Sequence, residues 1–359
     1  MTMIDAVLAV EVGWGTTLAI KTLFILAVVP LTALILGYVF LLKMMSHMQS
    51  RLGPMDPGGL ASTAVLRRLP VPHGWFQNIG DGIKFIQKED VMPGESDRRV
   101  FAFAPVVVVT STFLVFLVIP MGPDLVVRDL DVGVFYALAV SSLSVIGVLM
   151  AGWASANKFA LLGALRAAAQ LIAYELPLLL AVVGVVIQAG TMSLQGIVLS
   201  QHDGEIFGWS GIGFPFILTQ FIGFALFLIA SQAELTQTPF DMPVAESELV
   251  AGYMVEYTGF RFLFFFIGEF GTAFAFAAIS ATLFLGGWTI PGIDNVGLMR
   301  VLGPGVLFAK IMLVAFLMFW VRFTYPRLRE DQLQALAWKV LIPLGLANIV
   351  LTGVFKVAL

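Results

Sequence analysis

Eight stretches of this chain stay apolar for about as long as a helix needs to cross a lipid bilayer. They lie near residues 16–42, 102–121, 132–152, 170–190, 211–232, 262–287, 304–321 and 339–357. A spanning helix takes about 20 predominantly apolar residues, because the hydrocarbon core is roughly 30 Å thick and each residue adds about 1.5 Å. A soluble core would need polar positions alternating along these runs to face water, and they have none. The chain is 59% hydrophobic and 12% charged, against about 25% charged in average soluble usage. The expected fold is therefore all-α: a polytopic integral membrane protein with about eight transmembrane helices, forming a single membrane domain over residues 1–359. Pro30, Pro105, Pro120, Pro177 and Pro215 fall in or at the ends of the runs, which membranes tolerate where neighbouring groups satisfy the freed carbonyls.

Orientation follows from the basic residues. Four connecting segments, about 43–101, 153–169, 233–261 and 322–338, fall on one side under an eight-helix arrangement. In or at the edge of them lie 15 of the 20 Lys and Arg residues. Positive loops stay in the cytoplasm, so these four are expected to be cytoplasmic, with both termini on the other side. No basic leader or small-residue cleavage site opens the chain, so the first run is expected to persist as a helix. Residues Trp75 to Glu89 mix Trp75, Phe76, Ile79, Ile83 and Phe85 with Asp81, Lys84 and Lys88, the pattern of an amphipathic helix lying at the interface.

The chemistry-bearing residues are carboxylates. The stretch Ala233 to Tyr257, AELTQTPFDMPVAESELVAGYMVEY, carries Glu234, Asp241, Glu246, Glu248 and Glu256 with no Lys or Arg among them. Either these acids are solvated on a loop, or they line a polar cavity that admits protons or a polar headgroup. Pro239 and Pro243 place a turn there and a helix start near Pro243, with Asp241 as N-cap and Glu246 in the first turns as the structural alternative to a functional role. Glu248, Gly252 and Glu256 are four apart, so on a helix they share one face. Glu175 stands within an apolar run and is a functional candidate by its cost alone; Glu269 sits a few residues into another. The chain has no cysteine, hence no thiolate for a disulfide, an iron–sulfur cluster or zinc. His47, His73 and His202 are far apart, and no metal site is expected.

Taken together, the motifs resemble one family. They are Gln49-Ser-Arg51-Leu-Gly53-Pro54, Asp81-Gly-Ile-Lys84, Asp97-Arg98, Gly152-Trp153-Ala-Ser155-Ala-Asn157-Lys158, Leu165-Arg166 through Gln170, Tyr174-Glu175, Ala233-Glu234, Pro239-Phe240-Asp241-Met-Pro243, Ala245-Glu246-Ser-Glu248-Leu249-Val250, Glu256-Tyr257, Leu285-Gly-Gly-Trp288 and Pro326-Arg327-Leu-Arg329-Glu-Asp331-Gln332. In order and spacing this pattern resembles the H-subunit family of proton-pumping NADH–quinone oxidoreductase, respiratory complex I, over nearly the whole chain. The resemblance implies a membrane subunit that is not catalytic alone. It would form much of the quinone chamber and link quinone reduction to proton translocation through its acidic third cytoplasmic loop. It places Arg51, Asp81, Lys84, Phe240 and Asp241 at the chamber, and Glu175, Glu234, Asp241, Glu246, Glu248 and Glu256 on the proton path. Quinone is then a substrate, and FMN and iron–sulfur clusters belong to partner subunits. The implied partners are the other subunits of the peripheral and membrane arms, quinone and membrane lipid, with no nucleic acid. The implied location is the bacterial inner membrane.

The sequence departs from the family pattern at three places. Leu41-Leu42-Lys43 stands where the family has Glu-Arg-Lys, Gln237 where it has Arg, and Val244 where it has Glu; the stretch from about Leu60 to Gly74 also looks inserted. Val244 removes the reciprocal partner of a capping box, at a cost of about 1 kcal/mol. These changes keep a second reading open, the corresponding subunit of a divergent or hydrogenase-related complex with another electron donor or a non-quinone acceptor. A self-sufficient ion transporter would show paired repeats with broken helices, and no repeat is evident. A passive anchor with vestigial acids is the remaining alternative.

Overall fold

The computed structural model describes residues 14–55, 77–123, 125–204, 213–290, 292–293 and 295–358. Among the described residues every regular element is a helix. Seven helices are long and apolar enough to span a membrane, and each falls on one of the expected runs. The run expected at 211–232 is the exception: it yields a 14-residue helix, Phe221–Glu234, preceded at 213–220 by non-helical turns.

In chain order, α1 is Trp14–Leu36, continuing without a break through a π-helical stretch, Gly37–Met44, and a last turn, Met45–Met48. The helix α2 is Gln77–Gln87; Trp75 and Phe76 of the expected amphipathic segment lie outside the described residues, as does the segment from Leu60 to Gly74. Then follow α3 (Arg98–Val115), α4 (Gly133–Ser141), α5 (Leu143–Ala154), α6 (Lys158–Ala189), α7 (Leu194–His202), α8 (Phe221–Glu234), α9 (Gly259–Phe284) and α10 (Val296–Thr324). The chain closes with α11 (Glu330–Leu336), a π stretch (Ala337–Leu341) and α12 (Ile342–Ala358).

The starts of these helices are set by local side chains. Asp97 accepts from the Arg99 and Val100 amides at the start of α3. Asn157, Ser193 and Asn295 cap α6, α7 and α10 in the same way; each satisfies amides that have no partner within their helix. Two of the expected loops shrink as a result. The 153–169 segment is helical from Lys158 onward, so Arg166 rides on α6. The 322–338 segment is reduced to a short link between Thr324 and Glu330.

α6 and α9 form the centre, each 61% buried over its apolar window, whereas the last span is only 22% buried. The main core runs through Val29, Leu36, Tyr174, Phe227, Phe276 and Phe319. Between helices the contacts are small residues and hydrogen bonds, as expected where lipid offers no hydrophobic drive for association. Gln220 donates to Thr352 at 2.8 Å and accepts from Asn348 at 3.0 Å, tying α12 to the bundle. At the opposite end, α6 meets the acidic segment through two glycines. A Cβ on Gly163 would lie 2.7 Å from the Gly252 Cα, and one on Gly252, whose φ is +54°, would lie 1.7 Å from the Pro243 carbonyl oxygen.

Gly163→Ala is therefore expected to push the acidic segment off α6 and to destabilise the protein by about 1–3 kcal/mol. A thermal melt of the detergent-solubilised protein checks this, and an unchanged midpoint would contradict the close packing.

Candidate functional site

The site is built on the turn that follows α8. Gln170, buried on α6, donates to the carbonyls of Ala233 and Phe240, both at 2.7 Å, and so brackets the turn from each side. Phe240 is buried and packs edge-on to Tyr174 at 5.4 Å. The Tyr174 hydroxyl donates to the Leu333 carbonyl at 2.9 Å, and the Leu328 amide donates to the Pro239 carbonyl at 3.0 Å. The turn is thus pinned between α6 and the link to α11.

Two cavities lie near the end of α8, one lined by this turn and the other reached by Glu234, the last residue of α8. The first, about 730 Å³, is polar and lined by Gln237, Asp241, Tyr253, Glu269, Arg322 and Arg327 among others. Glu269, on α9, accepts from Gln237 at 2.9 Å and from Arg322 at 3.1 Å on the same oxygen. The Arg322 guanidinium lies over Phe270 and Phe319, 5.8 and 5.7 Å from their ring centres. A carboxylate at this depth is tolerated because a fixed cation and an amide face it. The second cavity, about 520 Å³, is apolar apart from Glu175, Glu234, Ser141 and Ser142. One oxygen of Glu234 is buried there with no hydrogen-bond partner among the described residues.

Outside the spans, the titration of the loop acids diverges. Burial pushes the Asp241 carboxyl above the ordinary carboxylate range; Arg327, Arg322 and a hydrogen bond from the Val244 amide pull it down, while Glu269 adds to the rise. Glu248 moves the other way, held low chiefly by a hydrogen bond from Arg166 and further by Arg327. Burial, with Glu269 and Asp241 nearby, raises the Tyr253 hydroxyl, so Tyr253 is a neutral donor at pH 7. At one cavity, then, stand a carboxyl whose titration burial moves upward, a carboxylate paired to arginine, and a phenol.

The acidic stretch is not one continuous helix. Only Glu246–Leu249 is α-helical; Val250 then takes φ +65°, and Gly252–Met254 forms a 3-10 turn. Glu248 and Glu256 therefore do not share a helix face. Glu248 is 46% exposed and clamped between Arg166 at 2.6 Å and Arg327 at 2.7 Å, and Glu330 also approaches Arg166, at 3.7 Å. Glu256 accepts from Asn157 at 2.6 Å. Asp241 is not the N-cap expected of it, a position occupied by Ala245; it lines the polar cavity instead. The Glu246 side chain lies outside the described part of the structure.

Arg51, Asp81 and Lys84 line neither cavity. Arg51 donates to Gln49 in the turn after α1. Asp81 accepts from Gln77, and Lys84 lies over Phe85 on α2, which packs on α9 through Phe85 and Phe262 at 5.6 Å.

A family model described as NADH dehydrogenase matches residues 20–353. The chain belongs to that family. It is 43% identical over 361 residues to the H subunit of NADH-quinone oxidoreductase from Brevibacillus brevis, covering 98% of this chain and 97% of the relative. It is 45% identical over 315 residues to the same-named protein of Geobacillus kaustophilus, 88% and 86% of the two chains. It is 45% identical over 343 residues to the H subunit numbered 2 of Syntrophobacter fumaroxidans, 93% and 94% of the two chains.

Of the positions that depart from the resembled pattern, Gln237 and Val244 line the polar cavity and Leu41 and Leu42 do not. Gln237, in place of Arg, is the amide that meets Glu269. Val244, in place of Glu, lines the same cavity. Leu41 and Leu42, in place of Glu and Arg, are half-buried in the π stretch of α1. Glu269, Arg322 and Tyr253 complete the cavity and were weaker in the sequence pattern. Their only local signal was an acid in the first half of α9 and an Arg in the last turn of α10, which antiparallel packing brings to the same level.

Because its carboxyl is held below the unfolded value, the stabilisation from Glu248 is present above the unfolded carboxylate range and is lost as pH falls through the lowered value. Glu248→Gln is thus expected to melt below the wild type at pH 7, with the gap closing as pH falls below the ordinary carboxylate range. Thermal melts across that range check it; a gap that does not change with pH would mean that the charge is not what holds Arg166 and Arg327.

Proposed function

We propose that this chain is a membrane subunit of an NADH–quinone oxidoreductase, forming much of the quinone chamber and coupling quinone reduction to proton translocation. The observation that carries this reading is the pair of cavities at the end of α8, an arginine- and carboxylate-lined polar cavity walled by the turn and an apolar cavity holding Glu234 and Glu175. Charge that develops on a quinone headgroup near Asp241, Glu269 and Tyr253 alters how readily Asp241 and its neighbours hold protons. Glu234 and Glu175 then offer the next acceptors into the bundle. The names and overall identity of the relatives favour NADH as donor and quinone as acceptor over the hydrogenase-related alternative.

In this reading Arg51, Asp81, Lys84 and Phe240 belong to the chamber's approach and wall. Glu246, Glu248 and Glu256 belong to the acidic loop that feeds the path. Flavin and iron–sulfur chemistry reside in partner subunits of the peripheral arm, while other membrane-arm subunits and lipid flank the bundle. The location is the bacterial inner membrane. The polar cavity and the arginine-rich links face the cytoplasm, and both termini lie on the far side.

The test is purification of the complex through this chain in mild detergent, followed by an assay of NADH-dependent quinone reduction. Asp241→Asn is expected to lower turnover about ten-fold, a barrier change of about 1.4 kcal/mol, with assembly intact. Glu234→Gln is expected to reduce protons moved per electron in proteoliposomes more than it reduces turnover. Copurification with a hydrogenase, or quinone reduction unaffected by Asp241→Asn, would overturn the reading.

A further inference from the structure

The end of the bundle remote from the polar cavity is built from irregular backbone. α8 has 14 residues, about 21 Å, and so falls short of the roughly 30 Å hydrocarbon core. Residues 213–220, which would complete it, are turns. After α9 ends at Phe284, residues 285–290 form a second irregular segment, with Gly286 at φ +74° and Gly287 at φ +53°. Non-helical backbone within a membrane is tolerated only where protein buries it or where it lines a cavity. Residues 286–289 are buried, and of the first segment Phe216 and Gln220 face inward while Leu218 and Thr219 stay exposed.

Two side chains organise this region. Gln201 of α7 donates to the Thr282 carbonyl at 2.8 Å, and its oxygen accepts from the amides of Phe216 at 3.1 Å and Gly286 at 2.9 Å. Lys310 stands at the midpoint of α10, fourteen residues from either end. Its ammonium donates to the carbonyls of Gly287 at 2.8 Å and Thr289 at 2.9 Å. Around them, the Ile217 amide donates to the Phe284 carbonyl at 2.9 Å, and a Cβ on Gly287 would lie 2.6 Å from Val198, so the turn lies tight on α7. A lysine in the middle of a spanning helix is a functional candidate by default, and the quinone and proton-path reading makes no use of it.

We infer that Lys310 is a tethered cation that holds the 285–290 turn in place as a plug, closing the bundle at the end remote from the polar cavity. Two carbonyl oxygens converging at this spacing form half of a cation cradle, and the ammonium fills it from α10. Its long stem lets a helix that is only one-third buried over its apolar window fasten a turn belonging to the central helix. With the turn held, charge entering from the cavity side finds no water path out through this chain at the far end and has to leave sideways. Without it, two carbonyls lose their donor, and the Gly286-Gly287 hinge is free to swing away from α7.

The experiment uses the assembled complex in proteoliposomes. Lys310→Met is expected to raise passive proton permeability several-fold while leaving uncoupled NADH–quinone turnover close to wild type; Lys310→Gln, which keeps a donor, should fall between. The permeability measurement involves no quinone chemistry, so it stands or falls separately from the proposed reaction. The chain has no cysteine, and Ser280 is fully buried with no hydrogen-bond partner for its hydroxyl among the described residues. Ser280→Cys therefore reports access below the plug by gel-resolved labelling with a membrane-impermeant maleimide. The cysteine should be unlabelled with Lys310 present and labelled once Lys310→Met is added. Labelling with Lys310 in place, or unchanged permeability in both Lys310 variants, overturns the proposal. So does failure of both variants to assemble, which would make Lys310 a requirement of folding instead of a seal.

Discussion

A carboxylate within a membrane bundle needs a fixed partner, and the shape of the polar cavity follows from how Glu269 meets that need. One of its oxygens takes both the Arg322 guanidinium and the Gln237 amide. Arg322 is in turn wedged against Phe270 and Phe319, and Phe319 stacks on Phe40 in the π stretch of α1 at 5.2 Å. One ion pair thus joins three spans and the turn after α8. Because the pair is only partly dehydrated, its value is less in net stability than in fixing where the three helices and the turn sit relative to one another.

The spans were legible in the sequence because bilayer thickness imposes a length and composition that little else in a chain imitates. The helix at Gln77–Gln87 was legible for the same kind of reason, its apolar and charged faces being distinct. Less legible was where a helix outruns the membrane. α6 begins at Lys158, well before its apolar run, because Asn157 caps it and alanines carry it past Arg166. The unwinding before Phe221 is marked only by Gly213 and Pro215, since residues such as Phe214, Phe216 and Ile217 are as apolar as any helix interior.

The candidate site was legible in its residue types and not in its shape. Spacing alone put Glu248, Gly252 and Glu256 on one helical face, but Val250 with positive φ and the contact of Gly252 with Gly163 break that helix. Asp241 looked like a helix cap because an Asp beside a proline turn commonly is one; the helix starts later, after Ala245, and Asp241 lines the cavity. The partners of these acids, Arg166, Arg322 and Arg327, are 53 to 82 residues away along the chain, a separation at which local pattern carries no information.

α6 has a mechanical role as well as a chemical one. It is a single unbroken helix of 32 residues, about 48 Å long. Arg166 is clamped to the acidic loop near its start, Gln170 grips the turn after α8, and near its end Gln188 accepts from Thr219 and Gln220. Pro177, between these grips, takes one backbone hydrogen bond out of the helix and is the place where it can bend. One element of secondary structure therefore ties the acidic loop to the far end of the bundle, with a single built-in weak point between them.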